Sequence, residues 1–204
     1  MIKKGRTMAV SMQDIKQLRA ITGAGILDVK NALEETDGDV DRAAQLLRER
    51  GIAGASKKAG RTASEGFVGS YLHHNGKIAT LVELNSETDF VSRNEVFQEL
   101  AKNLAIHVAM ANPSYVRRED IPQDIENSER ETLRNQALEE GKPESVIDKI
   151  VEGRLGKFYE EIVFLEQPYV KDDKKTVEQL VKEAIATLGE NIQIGSFCRI
   201  AIGE

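Results

Sequence analysis

The sequence from residue 67 to residue 84 is FVGSYLHHNGKIATLVEL, and this stretch decides the fold class. Two strand-like runs, 67–72 and 77–84, flank a turn whose Asn75-Gly76 pair is a β-hairpin signal. A helix with one apolar face follows, formed by Phe97, Leu100, Ala101, Leu104, Ala105 and Val108. The hairpin and the helix together predict an α+β core, in which a small antiparallel sheet packs against helices.

The rest of the core is predicted from capping and periodicity. Two charge-rich helices are expected near 123–140 and 143–160. A third begins at a capping box formed by Thr176 and Gln179. Apolar residues alternate over 192–202, which predicts a final strand that pairs with the hairpin.

The residues before the hairpin predict a separate helical module. Ser11 and Asp39 are N-cap residues for the first and last of three short helices. The next sixteen or so residues are rich in Gly, Ala, Ser and Lys without a hydrophobic period, which is typical of a flexible, mobile linker. The predicted order is an N-terminal extension at 1–10, disordered in part, a three-helix module at 11–50, a linker at 51–66 and the core at 67–204.

Composition and charge exclude several functions. The chain has 204 residues, a net charge of -6 and a pI near 5.3, so direct nucleic-acid binding through a basic surface is not expected. No apolar run approaches the roughly 20 residues that span a bilayer, and no membrane partner or signal peptide is expected. Cys198 is the only cysteine, so no disulfide forms within the chain and a cytoplasmic, reducing compartment is expected.

The sequence has no evident catalytic or cofactor-binding motif. A phosphate-binding loop of the Gly-x-x-x-x-Gly-Lys-Ser/Thr type is missing. His73, His74 and His107 lack the spacing of zinc ligands, and a hydrogen-bonded packing role is favoured for His107. Cys198 lies in the alternating final strand, which favours a core or interface role over that of a nucleophile. We therefore expect no metal, no cofactor and no enzymatic activity.

The segment between the second strand and the main helix is ETDFVSRNE, residues 87–95. Ser92 and Glu95 have the spacing of a capping box at the start of the main helix. Val91, directly before that cap, is placed to form a hydrophobic staple with Val96. Helix capping thus accounts for much of this segment without any reference to function.

Phe90 lacks such an explanation. It lies outside the apolar face of the helix and beyond the alternation of the strand. Asp89 beside it is favoured near a helix N-terminus by the helix dipole. The ring of Phe90 either folds back onto the core or protrudes and inserts into a partner, as hot-spot aromatics do. The sequence pattern leaves both alternatives open.

Residues 18–33 are LRAITGAGILDVKNAL, and residues 83–94 are ELNSETDFVSRN. These two stretches resemble the two signatures of the elongation factor Ts family. Further matches keep their order toward the C-terminus: His107-Val108-Ala109, Pro113, Tyr115, Lys142-Pro143-Glu144, Val151-Glu152-Gly153-Arg154 and Gln167-Pro168-Tyr169-Val170.

The resemblance implies a guanine-nucleotide exchange factor that promotes GDP release from elongation factor Tu during translation elongation. It implies that only the partner binds nucleotide, and that the N-terminal bundle is a ubiquitin-associated-like module that docks on the partner's G domain. The docking residues expected from the first signature are Leu18, Arg19, Thr22, Gly23, Ala24, Gly25 and Ile26.

The second signature implies the exchange element itself. Thr88, Asp89, Phe90 and Val91 are expected to form a loop that inserts Asp89 and Phe90 near the partner's magnesium and phosphate site. His107 is a candidate second contact with the partner.

The length of the chain adds an expectation about assembly. Longer members of the family carry a second core subdomain, whereas this chain has one and resembles dimer-forming members. We therefore expect a homodimer, with Cys198 as a candidate interface residue. Residues 1–7 precede the usual family start, Met8-Ala9-Val10-Ser11.

Two other functions fit parts of the sequence. An adaptor that binds a peptide or a ubiquitin-like partner through the bundle explains residues 11–50 but leaves the Asp89-Phe90 loop unused. A small-molecule enzyme of the α+β class would need a catalytic cluster that the sequence lacks.

Overall fold

The computed structural model describes residues 10–204, so all but the last residue of the predicted N-terminal extension lies outside the described residues. These residues combine helices with small antiparallel sheets, which confirms the α+β class. The helices are α1 Met12–Thr22, α2 Ile26–Glu35, α3 Val40–Ser56, α4 Asp89–Ser92, α5 Glu95–Ala111, α6 Gln123–Glu139, α7 Glu144–Ile162 and α8 Val177–Leu188. The strands are β1 Glu65–Leu72, β2 Ile78–Ser86, β3 Pro168–Tyr169, β4 Asp172–Thr176 and β5 Ile192–Ala201.

The first three helices share a small apolar core of their own. The predicted caps are present: the Ser11 hydroxyl accepts hydrogen bonds at the start of α1, and the Asp39 carboxylate accepts one from the Arg42 amide at 3.0 Å. Burial selects one face of each helix, because each amphipathic helix must cover its apolar stripe. The buried residues are Ile15, Leu18, Val29, Ala32, Leu33, Ala43 and Leu47.

The prediction of a flexible linker at 51–66 is wrong for its first six residues, because α3 continues to Ser56. Ala55 is buried in the main core, the apolar cluster formed by the three-stranded sheet, α5 and α8. Gly51 packs so closely on α8 that an added Cβ would lie 2.8 Å from the Ala186 Cβ. Alanine favours the helix intrinsically, and this packing offsets the unfavourable helix propensity of glycine. Sequence periodicity missed the helix because the buried residues here are small.

The remainder of the predicted linker bends toward β1 and is tied to the core. The Asn191 side-chain amide donates a hydrogen bond to the Arg61 carbonyl at 2.6 Å. The Gln193 side-chain amide donates one to the Ala59 carbonyl at 3.0 Å. These contacts connect the segment to the start of β5.

The main sheet has the strand order β1-β2-β5 and is antiparallel throughout, so the predicted pairing of the last strand with the hairpin is confirmed. Helix α5 covers one face of the sheet with its predicted apolar stripe, all of which is buried. Gly69 marks the closest approach, since a Cβ there would lie 2.2 Å from the Ala101 carbonyl oxygen. The other face of the sheet carries the alternate residues of the three strands.

The two predicted charge-rich helices are present as α6 and α7, which pack against each other around a separate apolar cluster. The capping box of Thr176 and Gln179 at α8 is also confirmed. The short hairpin of β3 and β4 was not predicted, because its sequence is rich in Lys and Asp and has no alternating apolar residues.

Candidate functional site

Phe90 is the most exposed large apolar side chain in the described residues, with 80% of its surface accessible. It lies in α4, a helix of only four residues between β2 and α5. Thr88 and Asp89 are also exposed, and Asp89 pairs with Arg93 at 3.0 Å. Val91, in contrast, is 4% exposed and packs in the main core. In the structure, therefore, Phe90 does not fold back onto the core, and Val91 anchors the loop there.

The predicted capping of the main helix is wrong in detail. Asn94 is the N-cap of α5, and its side-chain oxygen accepts the Val96 amide at 2.8 Å. The Ser92 hydroxyl donates instead to the Asp89 carbonyl within α4 at 2.9 Å. Because Val91 is buried while Val96 is 54% exposed, the two do not form a staple. Asparagine and serine cap helices equally well, and the short α4 moves the start of α5 to the later residue.

The base of the loop is held by Glu190 and Asn191, which follow the C-terminal end of α8. The Thr88 amide and hydroxyl both donate to the Glu190 carboxylate, at 3.0 Å and 2.6 Å. The Asn191 amide donates to the Glu87 carboxylate at 2.6 Å. The sequence contained no sign of the roles of Glu190 and Asn191, because no local pattern relates positions that are more than 100 residues apart.

The predicted docking residues divide between the core and the surface of the N-terminal module. Leu18 is fully buried in the bundle, because the apolar face of α1 to which it belongs is needed for packing, so its side chain offers no surface for the predicted partner contact. Arg19 is exposed, and Ile26 is 58% exposed. Thr22 is half-buried and donates its hydroxyl proton to the Leu18 carbonyl at 2.7 Å.

The turn between α1 and α2 brings further apolar residues to the surface. Gly23 and Gly25 are exposed there, and Ala24 is half-buried against the bundle. Ile21 and Leu27 are 62% and 70% exposed, although neither was predicted as a docking residue. The sequence pattern did not single them out, since Ile21 follows Ile15 and Leu18 at helical spacing and Leu27 has the apolar character of its helix.

His107 is fully buried, so its side chain offers no surface for the predicted second contact with the partner. Its ring stacks between Phe164 and Tyr169. Its Nδ1 accepts the Val170 amide at 3.3 Å, which leaves Nε2 to donate to the Gln167 side-chain oxygen at 2.9 Å. Burial lowers the pKa of His107, and the hydrogen bond to Gln167 opposes that shift in part. The side chain is neutral and has the packing role that the sequence also allowed.

Cys198 lies on the face of the main sheet that α5 does not cover. It pairs with Leu81 across the strands and is exposed. We call this surface the outer sheet face, and its exposed apolar residues are Val68, Leu72, Leu81 and Ile200. Among the hydrogen bonds of residues 10–204, none joins Cys198 to a basic side chain, and Cys198 lies outside the core clusters.

Among residues 10–204, no group of three or more His, Cys, Asp and Glu side chains is arranged to hold a metal ion. Within that same part of the chain, no helix has the length and apolar character needed to cross a membrane. The features that stand out are an exposed aromatic on a fixed loop and exposed apolar residues on a helical module. They define a protein whose surfaces are built for contact with other proteins.

Comparison with known proteins makes the class specific. The sequence model of the family described as elongation factor TS matches residues 7–204. A relative from Geobacter metallireducens, named elongation factor Ts, is 54% identical over 197 residues, which cover 97% of this chain and 91% of the relative. Another of that name, from Caldanaerobacter subterraneus subsp. tengcongensis, is 54% identical over 195 residues, which cover 96% and 98% of the two chains.

The chain belongs to the elongation factor Ts family, as the two signatures in the sequence predicted. Family membership implies a nucleotide exchange factor for elongation factor Tu in translation. Such a factor changes the affinity of its partner for nucleotide and is not a catalytic enzyme in the usual sense.

Proposed function

We propose that the protein promotes GDP release from elongation factor Tu by inserting the Asp89-Phe90 loop near the partner's magnesium and phosphate site. The observation that carries this proposal is the 80% exposure of Phe90. A large aromatic ring in water is unfavourable, and its burial against a partner supplies binding free energy. Aromatic residues of this kind are typical hot spots of protein interfaces.

The loop is built to keep its shape when it binds. Val91 fixes one end in the core, and the Glu190 carboxylate fixes Thr88 at the other. A side chain presented from a fixed backbone loses little conformational entropy on insertion, so more of the contact energy remains available.

The exchange follows from thermodynamic linkage. A factor that weakens GDP binding to its partner is itself weakened by GDP to the same degree. A coupling free energy of about 3 kcal/mol corresponds to a change of about 150-fold in affinity. No covalent bond forms or breaks, so the protein needs no acid, base or nucleophile.

The N-terminal module is proposed to be the ubiquitin-associated-like docking unit for the partner's G domain. Ile21, Ile26 and Leu27 are exposed together around the turn between α1 and α2, and Arg19 is exposed beside them. Apolar residues grouped at a surface mark protein interaction sites. This surface replaces Leu18, whose side chain packs inside the bundle.

We further propose a homodimer joined through the outer sheet face. An antiparallel sheet with one face in water normally presents polar residues there, yet Leu72, Leu81 and Ile200 are 68%, 49% and 64% exposed. A second copy fits this face because a two-fold interface joins the same patch from each chain, and apolar patches are self-complementary in polarity. Cys198 would then lie at the interface.

Sedimentation tests the dimer. At micromolar concentration the wild-type protein should sediment as a dimer, and Leu81→Asp should sediment as a monomer. Val96→Asp is the matched control, because Val96 is exposed to a similar extent at 54% but lies on α5. A wild-type protein that remains monomeric would refute the assembly.

The exchange activity is tested by the release of fluorescently labelled GDP from purified elongation factor Tu, with and without this protein. Acceleration supports the exchange function, whereas binding without acceleration supports an adaptor. We infer a cytoplasmic location, where translation elongation takes place. The net charge of -6 supports action through the protein partner and not through direct nucleic-acid binding.

A further inference from the structure

We infer that Glu190 is a positioning residue that sets the direction of the exchange loop; the inference rests on the proposed function of Asp89 and Phe90. Glu190 follows α8 directly after Gly189, and it lies 102 residues from Thr88 in the sequence. Its carboxylate nevertheless binds Thr88, the N-cap residue of α4.

The geometry uses every donor that Thr88 has. The amide donates to one Glu190 oxygen at 3.0 Å, and the hydroxyl donates to the other at 2.6 Å. A carboxylate only accepts hydrogen bonds, so the direction of both bonds is unambiguous. The Thr88 side chain makes no capping hydrogen bond to α4. Glu190 therefore satisfies donors that the short helix leaves unpaired, and it holds Thr88 extended at φ -129° and ψ 157°.

The other contacts at the loop base fix different atoms. The Ser86 hydroxyl donates to the Thr88 carbonyl at 3.0 Å, and the Asn191 amide donates to the Glu87 carboxylate at 2.6 Å. These bonds hold the end of β2 in place. Among the hydrogen bonds of the described residues, those to Glu190 are the ones that restrain the Thr88 amide and hydroxyl, directly before Asp89 and Phe90.

Helix α8 connects the contact between Glu190 and Thr88 to the N-terminal module. On α3, Gly51 packs against Ala186, and Arg48 pairs with Glu183 at 3.2 Å. The last helix of the docking module, α3, therefore packs on α8, the helix that Glu190 follows after Gly189. Through α8, Glu190 relates the position of the loop to the position of the docking surface, which a partner must meet at the same time.

Global stability is a weak explanation for this contact. Thr88 is exposed and Glu190 is half-exposed. Hydrogen bonds and charges at such a surface contribute little to unfolding free energy, because water competes for them. Positioning has a different signature: it changes the rate of the chemical or conformational step more than the strength of docking.

The test measures GDP release from elongation factor Tu at increasing concentrations of the full-length protein, which separates the maximal rate from the half-saturating concentration. Glu190→Ala should lower the maximal rate by about tenfold, because both hydrogen bonds to Thr88 are lost and the loop must be ordered at the moment of insertion. The half-saturating concentration, set mainly by the docking module, should change less. Glu178→Ala is the matched control, because Glu178 is an exposed glutamate in the first turn of α8, and it should keep the full rate.

A double-mutant cycle shows whether Glu190 acts through Thr88. Thr88→Val removes the hydroxyl and keeps the shape, so it should lower the rate, while Thr88→Ser should restore it. Combined with Glu190→Ala, Thr88→Val should cause no further loss. Additive losses would mean that Glu190 acts by a route other than Thr88 and would overturn the inference.

Hydrogen exchange keeps this inference separate from the function on which it rests. In the free Glu190→Ala protein, the Thr88 amide should exchange faster, because Glu190 is its acceptor, with the amides of β2 unchanged and the melting temperature retained. Unchanged exchange of the Thr88 amide overturns the positioning role, whatever the activity. If Phe90→Ala leaves GDP release at the wild-type rate, it is the proposed loop function that fails. If only Phe90→Ala slows release and Glu190→Ala does not, the positioning role fails.

Discussion

Replacing Phe90 with alanine shows whether its ring contributes to partner binding or to the stability of the folded chain. Because 80% of the Phe90 surface is already in water, its removal should change the free energy of unfolding by less than about 0.5 kcal/mol. Phe97, seven residues later, is fully buried in the main core. The same substitution at Phe97 should cost about 3–5 kcal/mol, since it removes a buried ring and leaves a cavity.

The functional effect should run in the opposite order. Truncation of an interface hot spot costs about 2 kcal/mol or more. At 1.4 kcal/mol for each factor of ten, this corresponds to roughly a 30-fold loss. Phe90→Ala should therefore reduce the acceleration of GDP release by about 30-fold or more while the protein stays folded.

Stopped-flow release of fluorescent GDP from elongation factor Tu measures the rate, and urea unfolding measures the stability. Val96→Ala is the control for loss of an exposed apolar side chain, because Val96 is 54% exposed at the start of α5. It should leave both quantities near the wild-type values.

Two results would refute this reasoning. A Phe90→Ala protein that accelerates release as well as the wild type would remove the ring from the mechanism. A loss of stability close to that of Phe97→Ala would mean that the ring packs on the core in solution, contrary to its exposed position.

Three further predictions concern buried and exposed positions. The pKa of His107 is lowered in the folded state, so below about pH 6.5 the unfolded state binds a proton at this residue more readily than the folded state. The free energy of unfolding should therefore fall as the pH falls below about 6.5. Urea unfolding at several pH values from about 7.5 to about 5.5 measures this change. Gly69→Ala should destabilise the protein by about 1–3 kcal/mol or more, because the added Cβ would lie 2.2 Å from the Ala101 carbonyl oxygen. A thermal melt measures this loss of stability. Leu18→Ala should cost about 2–5 kcal/mol in unfolding free energy, whereas Ile26→Ala should spare stability and raise the half-saturating concentration in the exchange assay.

Each of these predictions has its own control. For the histidine, His107→Gln should flatten the pH dependence, and an unchanged slope would assign it to other groups. For the glycine, Gly54→Ala is suitable, because an added Cβ there meets no atom within 4 Å, and an equal loss at both sites would refute the steric argument. For the docking surface, equal stability losses at Leu18 and Ile26 would contradict the assigned faces.

Local interactions explain why much of the secondary structure could be predicted. The polar side chain of an N-cap residue bonds to backbone amides two or three residues further along the chain. Local sequence was therefore enough to recognise the caps at Ser11 and Asp39 and the capping box of Thr176 and Gln179. The hairpin turn likewise depends on adjacent residues. Where two good caps lie close together, as at Ser92 and Asn94, local rules do not choose between them. Burial of Val91 and the formation of α4 made that choice.

The small residues after residue 50 show the limit of periodicity. Gly51 and Ala55 carry no strong hydrophobic signal, yet their small size lets α3 pack closely on α8 and the core. Whether such a stretch is a linker or a helix depends on a surface supplied by another part of the chain. The same dependence decided that Leu18 faces inward and Ile26 outward.

By itself, the sequence determined the family, the α+β class and the identity of the loop that contains Phe90, because signatures, caps and periods are written in neighbouring residues. The tertiary structure alone decided that Phe90 protrudes, that His107 is enclosed and that Glu190 holds Thr88. The physical reason is range: exposure and hydrogen-bond partners are set by residues that approach only after folding, in the last case from 102 positions away.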